Sequence, residues 1–407
     1  MAAIAAQALN ATLRGRRARR RSGAVLSALV LLPALGLAQD EGMEEFDEVD
    51  PYTEGDPKKL GRLGYVRVGS FVWEGAERTE HVQETLGGLD VLWVETEHFR
   101  IGSSLGTYAI PADRAEKKKL KEELDRFGDK LGRFKRPKRR LDPWIRIHLL
   151  ALLSEELYDS YVADFGLEEE DGEPNAMGHP QKFNLLVCQR KSELGRYLRA
   201  YEQGANDFAY RTGHHGKSMF FGINAEAIAE GYDGDPSQPY DTMLHALVAQ
   251  GLARNFADGH LQKLFECPEW FSMGLGHVYV RRIDERFVQT GATSRSTDDE
   301  HWKWDERVGN LVKNEFFAKM TDMIRWERGR EWNEREHMVA WSKVECVIER
   351  LDGSGAMFLA GLVTPVADQP AGTPDELLLR QARAFDTQLD LTPDAFDGEW
   401  MDWVRDR

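Results

Sequence analysis

Hydrophobic and polar positions alternate along residues 64–73 and again along residues 89–101 (LDVLWVETEHFRI), where Leu92, Val94, Thr96 and His98 share one face. Period-two patterning of this kind predicts strands. Residues 112–134 change to helical spacing, with Leu120, Leu124, Phe127 and Leu131 forming one apolar stripe among charges. A second helix is expected over 142–165, a buried strand over 182–188 (KFNLLVC) and a helix over 191–201, with the acidic, Pro- and Gly-bearing stretch 166–180 between them. From residue 240 to 407 the pattern is almost wholly helical, broken at Cys267-Pro268 and in the polar loops 291–300 and 365–374. Short strands followed by helices imply an α+β fold: a strand/helix part over 61–239 and a helical part over 240–407.

The N-terminus reads differently. The first 38 residues hold six arginines and no acid, and residues 24–38 (AVLSALVLLPALGLA) are apolar and end on small residues. Basic, apolar and small-residue regions in that order form a secretory signal peptide over 1–38, cleaved after Ala38, by the general or the twin-arginine route. Fifteen apolar residues fall short of the roughly 20 of a spanning helix, so no transmembrane span is expected once the signal is removed. Residues 39–60, acidic and punctuated by Pro and Gly, read as a flexible lead-in, with order beginning near Gly61.

Composition narrows the function. A formal charge of −16 disfavours nucleic-acid binding through a general basic field. The basic run 135–140 (KRPKRR) reads as a solvated loop. Three cysteines, Cys188, Cys267 and Cys346, in strand, loop and helix contexts, allow at most one bridge or three buried thiols. No G-x-S-x-G elbow, phosphate loop or dinucleotide fingerprint occurs. The paired carboxylates Glu155-Glu156 and Asp298-Asp299-Glu300 have no spacing that singles them out. Of the eleven tryptophans, Trp302, Trp304, Trp326, Trp332 and Trp341 cluster late in the chain, where helix packing is the expected use.

One stretch carries chemistry. Residues 240–256 (YDTMLHALVAQGLARNF) form an apolar helix containing His245, followed by Pro268-Glu269-Trp270-Phe271-Ser272-Met273-Gly274-Leu275-Gly276-His277. This frame resembles the gluzincin metallopeptidases, more narrowly the exported peptidase-MA-like proteins frequent in planctomycetes. Their HExxH helix is followed, about twenty residues on, by a Trp-Leu-Ser-Glu-Gly segment whose Glu is the third zinc ligand. Glu97-His98-Phe99-Arg100-Ile101 is similar to the family's opening strand, and residues 382–405 to its closing helices. The resemblance implies a zincin-like fold with a strand-rich first part and a helical second part. It aligns His245 with the first ligand, but Ala246 stands at the base, Ala249 at the second ligand, Met273 at the third, and His277 at the second Glu of the segment. One imidazole does not hold zinc in the three-ligand, one-water arrangement, and no positioned base remains.

Two functions follow as expectations. The first is an exported pseudopeptidase without cofactor that binds a peptide, protein or envelope component beside the former cleft, lined by His245, Trp270 and His277, or serves the envelope structurally. The alternative is an active metallohydrolase with zinc at a rebuilt site of His245, His277 and His214 or His215.

Overall fold

The computed structural model describes residues 49–169, 174–202, 208–214, 217–231, 241–288, 302–367 and 369–407. The expected signal peptide and His215 lie outside the described residues. The strands are β1 (Tyr65–Val68), β2 (Val72–Glu74), β3 (Glu77–Arg78), β4 (Leu92–Thr96), β5 (Phe99–Ser103), β6 (Tyr108–Ala109), β7 (Arg140–Leu141), β8 (Phe183–Cys188), β9 (Ala209–Gly213) and β10 (Met219–Asn224). The helices are α1 (Pro57–Arg62), α2 (Thr79–Thr85), α3 (Arg114–Leu131), α4 (Pro143–Phe165), α5 (Lys191–Tyr197), α6 (Ala225–Gly231), α7 (Asp241–Gly259), α8 (Glu269–Asp284), α9 (Trp304–Lys313), α10 (Met320–Met323), α11 (Glu334–Leu351), α12 (Ala356–Val363), α13 (Pro374–Leu389) and α14 (Pro393–Arg405). The fold is α+β with a mixed sheet.

Six strands run in the order β1-β4-β5-β8-β10-β9. β5, β8 and β10 are parallel, with Phe99 opposite Phe183 and Phe220 opposite Asn184, while β1, β4 and the outer β9 are antiparallel to their neighbours. Residues 89–101 were expected to be one strand and are instead the start of a hairpin, with Glu97 and His98 at the turn between β4 and β5. Every residue of β4 is buried, so alternation there gave no sign of where the strand ends.

Alternate residues of the sheet enter two cores. Leu185, Val187, Phe221 and Ile223 join the large core under α4 and α7, whereas Leu186, Cys188 and Phe220 pack with Trp73, Leu194 and Tyr197 on the opposite face. Burial on both faces explains the continuous apolar run of β8. The large core extends without a break from Leu63 to Trp400, so residues 61–239 and 240–407 share one interior. Burial of this kind, at roughly 25 cal/mol per Å² of apolar surface, is the main stabilising term.

Helix α4 shows how sequence fixes an element. Asp142 caps it by accepting the Ile145 N–H at 2.9 Å, Pro143 occupies the first turn, and Gly166 ends it at φ 58°. A Cβ at Gly166 would lie 1.8 Å from the Gly353 carbonyl oxygen, so only glycine fits.

Order begins earlier than Gly61. Asp50 is buried and accepts from His148 Nε2 at 3.1 Å, His148 Nδ1 in turn lies 2.7 Å from the Tyr65 hydroxyl, and α1 is capped by Asp56. An acidic composition concealed one carboxylate that a buried imidazole of α4 requires. Cys188, Cys267 and Cys346 are all free and buried. Among the described residues, no helix is long and apolar enough to cross a membrane.

Candidate functional site

Helix α7 is buried on nearly every side, so its neighbours decide which residues meet. His245 faces α3, where its Nδ1 lies 2.9 Å from Glu123 Oε2. Burial, the largest influence, pushes its pKa down, but the carboxylates of Glu123, Asp241 and Glu116 outweigh it and the net shift is upward. Glu123 also lines a cavity of about 310 Å³ between α3, α4 and α8. Ala246 and Ala249 are wholly buried in the core. Asp241, at the start of α7, is held by both arms of Arg146, at 2.6 and 2.9 Å.

A different pair meets α8. A Cβ at Gly276 would lie 2.9 Å from Gln250 Cγ and 3.1 Å from Arg254 Cγ, so glycine lets the helices approach closely there. Gln250 and Arg254 are spaced i, i+4 on this face. The Gln250 amide donates to His277 Nδ1 at 3.5 Å, which leaves the proton of that ring on Nε2, directed at His337 Nδ1 2.9 Å away. Burial, reinforced by the neighbouring His337, Arg254 and Arg281, holds the pKa of His277 well below its usual value, so the ring is neutral. His245 and His277 are therefore not brought together. Trp270, expected to line a cleft, is fully buried, donates to Gln381 Oε1 at 2.9 Å and packs on Phe271 and Phe385. His214 is exposed and lies 3.4 Å from Glu202. Among the described residues, His245, His277 and His214 do not gather around one point.

Around Arg254 sits a buried ionic cluster. Its Nη2 lies 3.4 Å from Glu269 Oε1 and its Nε 3.3 Å from Ser272 Oγ. Asp258, one turn further along α7, accepts from Arg211 of β9 at 2.8 Å, from Arg328 at 2.9 Å and from Ser272 at 3.2 Å. Burial would raise the Asp258 pKa, but Arg211, Arg328 and Arg254 hold it below the usual value. Burial and the nearby Arg211 bring Arg254 down to about 10, which leaves it cationic at neutral pH. Three guanidiniums thus face two carboxylates. Next to Gln250, Gly251 turns toward the sheet, and a Cβ there would lie 2.4 Å from the Phe221 ring. That ring fills the space a longer side chain at 251 would need.

The α7–α8 contact does not fit zinc. It offers the amide of Gln250, the guanidinium of Arg254 and the imidazole of His277, already bonded on both nitrogens. Arginine has no lone pair to give a metal at neutral pH. A cavity of about 650 Å³ adjoins this cluster and is bordered by Phe265, Glu269, Trp326, Arg328, Leu377 and Arg380.

Sequence reasoning missed Gln250, Arg254 and Phe221, because an all-round apolar helix does not announce which face meets its partner. The spacing held a clue: Met273 lies 19 positions after Arg254 and 24 after Ala249. It also passed over a group of Glu97, His98 and Glu169 whose ligand atoms lie within 4.8 Å of one another. No family model matches the chain, and neither a curated protein nor a solved structure does.

Proposed function

We propose that this chain is an exported pseudopeptidase of the gluzincin type, whose former catalytic helix now serves binding and not hydrolysis. The reading is supported by one arrangement above all: Gln250 and Arg254 of α7 approach α8 closely at Gly276, and the Gln250 amide bonds His277. In that register the two motif imidazoles fall on Gln250 and Arg254 and the base on Gly251, whose side-chain space is taken by Phe221. Aligning the motif on His245 keeps one imidazole and removes the base, the second ligand and the third, through Ala246, Ala249 and Met273. Either way no base remains to take a proton from a metal-bound water, a role worth about 10²–10⁴-fold.

The order of elements is compatible with a zincin-like fold. β5, β8 and β10 with the antiparallel outer strand β9 precede α7, and α8 packs against it. The cavity of about 650 Å³ beside Glu269 and Arg328 has the size of a small-ligand pocket and mixes apolar walls with fixed charges. A peptide segment with a hydrophobic side chain suits it: Phe265, Trp326 and Leu377 supply apolar contact, while Arg328 and Arg380 are held by Asp258, Glu269 and Glu266. The test is capture of a random peptide library by the mature chain. Selection of apolar peptides that is lost in Trp326→Ala supports the reading. Hydrolysis of the bound peptides in the presence of zinc overturns it.

A further inference from the structure

The turn between β4 and β5 holds a second constellation, remote from α7 in sequence. His98 is 6% exposed and its ring stacks on Tyr158 of α4, centroids 3.7 Å apart. Glu155, one turn earlier on α4, grips His98 twice, with Oε1 accepting the backbone N–H at 3.1 Å and Oε2 lying 2.7 Å from Nδ1. This clamp places a proton on Nδ1 and leaves the Nε2 lone pair free in the neutral ring. Nε2 is buried and without a hydrogen-bond partner of acceptable geometry, yet it lies 2.9 Å from Glu169 Oε1. The Tyr158 hydroxyl donates to the same Glu169 oxygen and accepts the Ala176 N–H at 2.7 Å, which fixes that carboxylate. Glu97 brings a third group, and one atom each from Glu97, His98 and Glu169 lie within 4.8 Å of one another.

We propose that Glu97, His98 and Glu169 form a divalent-metal site of the zinc type, with Glu155 as the carboxylate that orients the imidazole. Three observations converge. A buried imidazole nitrogen without a hydrogen-bond partner lies 2.9 Å from the Glu169 carboxylate, a place where a cation offsets the gathered negative charge. Three carboxylates, Glu97, Glu155 and Glu169, gather around one ring and leave a local charge that a doubly charged ion neutralises. A ligating histidine whose other nitrogen donates to a carboxylate is the arrangement that fixes tautomer and ring direction at metal centres. One nitrogen and two oxygens suit a borderline ion such as Zn²⁺ better than Ca²⁺, which takes six to eight oxygens. With three protein ligands, a fourth position stays open to water, on the exposed side where Glu97 and Glu169 reach solvent. The inference does not rest on the reading of α7.

The experiment is titration of the mature, metal-stripped chain with Zn²⁺ by calorimetry, with bound metal counted after dialysis. One zinc per chain is expected in the wild type, and less than about a tenth in His98→Ala and Glu169→Gln. Glu155→Gln should weaken binding about 10–100-fold. Glu97→Gln, at an exposed position, is the variant that cannot fail for want of folding, and it should also weaken binding. Absence of zinc from the wild type, retention of it in both Glu97→Gln and His98→Ala, or equal binding of Ca²⁺ overturns the assignment. In the first case His98 is an imidazolium bridging Glu155 and Glu169.

Discussion

Arg254 approaches Glu269 to 3.4 Å across the α7–α8 contact, so a permanent cation stands one helical turn beyond Gln250. In the proposed register this guanidinium replaces a neutral ligand, and its charge is matched by acids that also serve Arg211 and Arg328. Arg254→Ala should cost about 2–4 kcal/mol, because it leaves Glu269 short of a partner in a buried cluster. Urea denaturation of the variant measures this. A loss below about 0.5 kcal/mol would show that the cluster does not hold α7 to α8.

The Phe221–Gly251 contact gives a second expectation. Gly251→Ala, harmless at an open helical position, should destabilise the protein by about 1–3 kcal/mol, since the new methyl meets the aromatic ring at 2.4 Å. Combining it with Phe221→Leu should recover part of that loss, by the coupling expected of neighbours. Thermal denaturation of the two single variants and the double variant completes the cycle. Strict additivity would contradict a direct steric conflict.

Acid sensitivity follows from the buried histidines. Burial lowers His260 to about 4 and holds His277 well below its usual value. Unfolded histidine binds protons below about 6.5, so these groups destabilise the folded state progressively as pH falls through that value. For His260 the loss reaches about 3 kcal/mol by pH 4. His245 acts oppositely: its raised pKa contributes stability that is fully present below about 6.5 and fades as pH rises through the folded value. His260→Gln should therefore flatten the decline in urea midpoint between pH 6.5 and 4.5. An unchanged slope would mean that His260 is not the group responsible.

The proposed export makes a prediction that concerns the N-terminus. Cleavage after Ala38 leaves Gln39 as the first residue, which intact-mass measurement of protein recovered outside the cytoplasm checks directly. A chain that keeps residues 1–38 would make the apolar run an anchor.

Much of the fold was legible because local signals agreed with it. The stripe of Leu120, Leu124, Phe127 and Leu131 gave α3, and Asp142-Pro143 with Gly166 marked both ends of α4. What stayed hidden depended on distant partners. The β4–β5 turn at Glu97-His98 lacks glycine or asparagine, and the buried partner of Asp50, His148, lies 98 positions away. The α7 face was unreadable for the same reason, since Gln250 and Arg254 are chosen by the close approach at Gly276. His98 was read as part of a strand face, and nothing local joins it to Glu169, 71 positions on.

The central claim, that the α7–α8 contact holds no catalytic metal, is tested most directly by counting zinc in the His98→Ala chain, where the proposed site at the β4–β5 turn is removed. The account predicts less than about a tenth of a zinc per chain, and no zinc-dependent peptide cleavage. One zinc per chain that persists in His98→Ala and is released by His277→Ala would contradict it.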